Sequence, residues 1–173
     1  LDAIDWGTRV DTDGKTNSDG DEIIQVYFAK QGEIVEHPIT PINVASGWSD
    51  WEREYAFTSF EQYEKIINVD FREVDSQEKA DFVFTTSANA PVLLGAMSPP
   101  GEEAEGVAWF NNAGIGWDEQ GLAQGGFGFI TFTHELGHGM GMAHPHDNGG
   151  NSMVMHGVEN DQDSGQFGMN QGV

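Results

Sequence analysis

No cysteine occurs among the 173 residues, which excludes disulfides, zinc–thiolate sites and cysteine nucleophiles. Basic side chains are scarce as well: 7 Lys and Arg stand against 29 Asp and Glu, a formal net charge of −22. The few that exist are scattered from Arg9 to Lys79. They cannot build the basic patch that nucleic-acid phosphates or anionic lipids require. No apolar run approaches the roughly 18 residues of a membrane span, and no basic-apolar signal segment follows Leu1. The chain therefore reads as a mature or trimmed product. Its aromatic content of 11% is enough to build a core, so the acidity serves solubility or cation binding rather than general disorder.

The length fits one compact unit, or a piece of a slightly larger one. Residues 11–22 gather Asp11, Asp13, Asp19, Asp21 and Glu22 with two glycines, which invites a calcium reading. An EF-hand counted from Asp11 has Glu22 at its final ligand position, but Lys15 and Thr16 stand where Asp or Asn and then Gly are needed. Calcium stays here as an expectation beside a solvated acidic turn. Ile23 to Ala29 is rich in β-branched and aromatic residues and reads as a strand. From Asp50 to Ile67 the apolar side chains Trp51, Tyr55, Phe60, Tyr63 and Ile67 recur at mostly three- or four-residue spacings, with Ser49 as cap and Glu52 completing a capping box. Val69 to Val74 and Ala80 to Thr86 follow as strands, residues 87–105 as an irregular segment, and Val107 to Phe110 as one more strand. Phe127 to Met140 is the second helix. The order predicts an α/β (α+β) chain with a mixed sheet.

That second helix carries His134-Glu135-Leu136-Gly137-His138-Gly139-Met140-Gly141-Met142-Ala143-His144, which fits H-E-x-x-H-x-x-G-x-x-H at every fixed position. A helix advances about 3.6 residues per turn, so His134 and His138 project from one face and can share an ion. Glu135, next to the first histidine, points past the ion toward a water. Glycine adopts positive φ without steric cost, so Gly141 lets the helix stop and the chain turn to bring in His144 as third ligand. Pro145 then opposes further helix. Three imidazoles with an open fourth position mark a catalytic rather than a structural zinc site. Zinc lowers the pKa of water from about 15.7 toward about 7. With Glu135 as general base, this is the chemistry of peptide-bond hydrolysis without a covalent intermediate. His37, His146 and His156 lack partners at ligand spacing and read as ordinary polar or loop histidines. Met140 and Met142 read as packing beneath the site.

The eleven-residue motif resembles that of the metzincin zinc endopeptidases. Its surroundings are similar to the serralysin branch of secreted bacterial proteases, in Phe132-Thr133 before the motif and Ala143-His144-Pro145 at its end. So are Phe60-Glu61-Gln62-Tyr63-Glu64 running into Asn68-Val69-Asp70-Phe71, and Ala80-Asp81-Phe82. The resemblance covers about residues 23–147. It implies a metzincin-like zincin fold, a twisted, mostly parallel sheet with one antiparallel edge strand, packed on two long helices. Gly106 to Phe110 would be that edge strand, with Val107, Ala108 and Trp109 binding an extended peptide or protein substrate. Three regions are expected: an acidic segment 1–22, an upper catalytic subdomain 23–144, and the start of a lower subdomain 145–173.

Two departures from the family stand out. Serralysins follow the methionine of their turn with a tyrosine, and no tyrosine occurs here after Tyr63. Met153 and Met155 lie 9 and 11 residues past His144, a spacing closer to matrix metalloproteinases. The expectation is that the chain stops before its turn and is completed by a noncovalently bound C-terminal fragment, with Met155 as the alternative turn methionine. The resemblance also implies secretion. The other reading is a noncatalytic acidic module that binds zinc or calcium.

Overall fold

A computed structural model describes residues 4–37, 40–88 and 93–158. Pro91 and the polar stretch from Gly165 to Val173 lie outside the described residues, as does the side chain of His37.

The strand predicted from Ile23 is β1, Glu22–Phe28. It alternates strictly between two cores: Ile24, Val26 and Phe28 face one cluster, Tyr27 and then Ala29 the other. This period of two is what a strand covered on both faces requires. A hairpin of β2 (Ile34–His37) and β3 (Thr40–Val44), absent from the sequence reading, packs Val35 into the second cluster. Helix α1, Asp50–Glu64, starts at Ser49 with both hydrogen bonds of the predicted capping box, worth about 1 kcal/mol. It ends earlier than Ile67. The sheet explains this: Glu22 donates its N–H to the Asn68 carbonyl at 3.0 Å, and β4 (Val69–Glu73) pairs with β1 from Val69 onward, so the chain must leave the helix to enter the ladder.

After β5, Phe82–Thr86, the segment expected to be irregular contains a short strand, β6, Gly95–Met97, and then β7, Val107–Phe110. The sheet order is β4-β1-β5-β7-β6. Four strands are parallel and β6 alone runs antiparallel, against β7. The mixed sheet with one antiparallel edge is thus as expected, but the strand at the edge is not. Ala108 and Trp109 pair with β5 on one side and β6 on the other and are fully buried, while Val107 pairs with β5 and accepts at its carbonyl from Ser98, just past β6, at 3.1 Å. They cannot pair with a substrate. Gly95-Ala96-Met97 escaped notice because it has no β-branched residue.

A short α2, Glu119–Leu122, capped by Asp118, precedes the long α3, Phe127–Gly139. Helices α1 and α3 lie against one sheet face over a phenylalanine core, in which Phe60 stacks on Phe71 with centroids 4.6 Å apart and Phe110 on Phe132 at 4.9 Å. Offset aromatic pairs of this kind add about 0.5–1.5 kcal/mol each beyond their buried area. Tyr63 of α1 donates its hydroxyl to the Thr133 carbonyl at 3.0 Å, fixing α3 one residue before His134.

Candidate metal centre

His134 and His138 sit one turn apart on α3, their rings nearly perpendicular with centroids 4.7 Å apart. The helix then stops at Met140, and Gly141 takes a φ of +90°. A Cβ at Gly141 would stand 2.5 Å from the Thr8 carbonyl oxygen, so the position needs glycine both for its backbone angle and for space. The reversal delivers His144. The Nε2 atoms of His134, His138 and His144 all lie 3.1 Å from one another.

The outer nitrogens decide what those inner atoms are. His138 donates its Nδ1 proton to the Met142 carbonyl at 2.8 Å, and His144 donates its own to Oδ2 of Asp147 at 2.9 Å. His138 and His144 therefore each turn a bare Nε2 lone pair toward the other and toward His134, an arrangement that a cation between them would relieve. Ligands at about 2.0–2.1 Å from a tetrahedral zinc are separated by about 3.3 Å, close to the observed spacing. Burial also pushes the pKa of His138 and His144 down, favouring the neutral form that binds metal. The donor set fits zinc.

Glu135 is buried beside the triad. Removal from water pushes its pKa up from 4.5 to about 7, a rise that a hydrogen bond from the Met97 backbone partly offsets. The carboxyl lies against β6: a Cβ at Gly95 would come within 2.9 Å of the Glu135 Cγ. A cavity of about 430 Å³ borders Glu135 and the three histidines together with Trp6, Met97, Pro99 and Asp147. A second, of about 390 Å³, continues along the helix past Leu93, Ile130 and Thr131. The cleft thus follows the edge strand.

Sequence reasoning gives no site role to Trp6, Gly95, Met97 or Asp147, nor to Leu93, Ile130 and Thr131 farther along the cleft. Asp147 alone had a local signal, a carboxylate three residues past a ligand. His146 stacks on His144 with centroids 5.0 Å apart, whereas His156 is exposed. Met140 packs against the main core, Met153 is exposed, and Met155 donates its N–H to the Pro145 carbonyl at 2.7 Å. Among the described residues, the acidic loop brings no three carboxylates together as a metal site. Lys15 donates to Gln25 at 2.7 Å and lies 3.4 Å from Asp13, while Asn17 donates to both Asp21 and Asp70.

A helix-borne histidine pair, a third histidine after a glycine turn and a glutamate between strand and ligands define a zincin-type centre. The Peptidase_M10 family, described as matrixin, matches residues 15–171, and the chain belongs to this family of zinc-dependent peptidases. It is 25% identical over 134 residues to a serralysin of Photorhabdus sp. (strain Az29), covering 76% of this chain and 28% of that protein. Over 109 residues it is 25% identical to a serralysin of Photorhabdus luminescens, covering 61% of this chain and 22% of that protein. The chain therefore spans about a quarter of the length of these relatives. The metzincin, serralysin-like resemblance and its zinc cofactor are borne out. No helix among the described residues is long and apolar enough to cross a membrane.

Proposed function

We propose that this chain is the catalytic part of a secreted zinc endopeptidase, with His134, His138 and His144 as the metal ligands and Glu135 as general base. The observation that carries this reading is the triangle of three Nε2 atoms, each 3.1 Å from the others, with a buried carboxyl beside it. When bound, zinc supplies Lewis acidity, making water acidic near neutral pH and stabilising negative charge on a carbonyl oxygen. Glu135 takes one proton from the attacking water and delivers it to the departing amine nitrogen as the peptide bond breaks. In the metal-free chain burial holds this carboxyl at about 7; a zinc ion beside it would favour the carboxylate, the form that takes the proton from water. Strand β6, paired among the described residues only to β7, is our candidate partner for an extended peptide.

On this reading residues 23–144 make the upper subdomain, with the acidic segment 1–22 before it, and residues 145–173 begin the lower one. Met155, tied to Pro145 through its backbone, is our candidate for the turn methionine. Secretion is supported by the likeness to serralysins.

The test is Glu135→Ala. The variant retains zinc at one ion per chain and loses peptide cleavage by roughly 100- to 10,000-fold. Full activity in that variant overturns the proposal.

A further inference from the structure

The N-terminal segment is built into the metal centre. Trp6 donates its backbone N–H to the Gly141 carbonyl at 2.9 Å and accepts at its own carbonyl from Asn151 at 2.8 Å. Asp5 bridges Met142, and Ala143 donates to the Ile4 carbonyl at 3.0 Å. Two residues on, the Thr8 hydroxyl donates to the Pro100 carbonyl, just past the end of β6. The segment thus ties the loop that carries His144 to Pro100 beyond β6, at the end of the cleft that Trp6 and Pro99 line.

The Trp6 indole itself packs against Gly149 and Gly150: a Cβ at Gly149 would stand 2.4 Å from the ring, and one at Gly150 would stand 3.0 Å from it. Its backbone and one side of its ring are therefore held, yet it belongs to neither core cluster. Its other surroundings are the cavity shared with Met97, Pro99 and the three ligands. An aromatic side chain held rigid by its own chain and facing an open site is a pre-organised binding surface.

We propose that Trp6 is a specificity-determining residue, forming with Pro99 the apolar wall that receives a large aromatic or aliphatic side chain immediately N-terminal to the scissile bond. The direction follows from the strand. A peptide added antiparallel to β6, the more stable pairing, sets its N-terminal half beside the Met97–Pro99 end and its C-terminal half beside Leu93. Asp147 in the same cavity disfavours an acidic side chain there. The inference rests on the peptidase reading above.

The experiment compares two capped peptides that differ only in Phe or Gly before the scissile bond. Cleavage is followed with the zinc-loaded parent chain, and binding with zinc-loaded Glu135→Ala. Trp6→Ala, and Trp6→Leu as a variant that keeps bulk on the two glycines, are made in both backgrounds. The expected result is loss of the preference for Phe over Gly by about 10-fold in each variant, with zinc affinity and the Gly peptide unaffected. If Trp6 only clamps the His144 loop, zinc affinity falls and both peptides suffer alike. That outcome overturns the proposal, as does an unchanged preference, or one altered only on the C-terminal side of the bond. A parent chain that cuts neither peptide, while Glu135→Ala still binds the Phe peptide through Trp6, counts against the peptidase reading and leaves this inference standing.

Discussion

Asp147 and His144 close a tight local pair in which one carboxylate oxygen accepts both the His144 ring Nδ1 proton, at 2.9 Å, and the His144 backbone N–H, at 3.0 Å. The second bond holds the backbone and the first holds the ring, so the Nε2 lone pair is aimed before any metal arrives. Outer partners of this kind fix both tautomer and basicity of a ligand. Asp147→Ala is expected to weaken zinc binding by about 10- to 100-fold, and Asp147→Asn by less. Competition against a zinc chelator measures this, with circular dichroism confirming the fold. Equal affinity in the Ala variant would sink the assignment of Asp147 as a positioning residue.

Glu135 ties pH to stability in the metal-free chain. Its folded pKa of about 7 lies above the ordinary 4.5, so the folded state holds this proton more tightly than the unfolded state. The stabilisation is complete below about 4.5, fades as pH rises through about 7, and is constant above that. Glu135→Gln removes the dependence. Metal-free Glu135→Gln should therefore gain on the parent between pH 5 and pH 8 by up to roughly 3 kcal/mol. Urea denaturation at the two pH values gives the comparison, and a pH-independent difference would count against it.

Gly95 sets the distance between the edge strand and Glu135. The Cβ of an alanine would press on both the Glu135 Cγ, at 2.9 Å, and the Phe110 ring, at 3.0 Å. Gly95→Ala is expected to displace the carboxyl and lower kcat, by roughly 100-fold if the shift reaches about 1 Å. Zinc stoichiometry stays at one. Undiminished kcat would mean that Phe110 alone yields.

The Lys15 ammonium already provides positive charge within the acidic loop, against Asp13 and Gln25. Millimolar calcium should therefore leave the thermal midpoint of the zinc-loaded protein unaltered in differential scanning calorimetry. A rise of several degrees would show that the loop rearranges around the ion. Lys15→Gln should cost little, under about 1 kcal/mol, because this ion pair is partly exposed.

Short-range rules settled much of the molecule in advance. Ser49 and Glu52 announced the start of α1, the alternation around Ile24, Val26 and Phe28 announced β1, and His134, Glu135, His138, Gly141 and His144 announced the centre. Each depends on neighbours within a few residues, where helical pitch, strand pleat and glycine's freedom at positive φ decide geometry. Trp109 shows where that reasoning fails. The family resemblance alone placed its strand at the edge, and the arrival of Gly95-Ala96-Met97 beside it made it interior.

The sequence by itself determined the histidine triad, the glutamate beside it and the two long helices, because those are local consequences of residue spacing. Tertiary structure decided which strand is the edge, how far Glu135 is withdrawn from water, and that Trp6, more than a hundred residues before His144, stands in the same cavity. These depend on which distant backbones the phenylalanine core brings together, and no spacing along the chain encodes a contact that only packing creates.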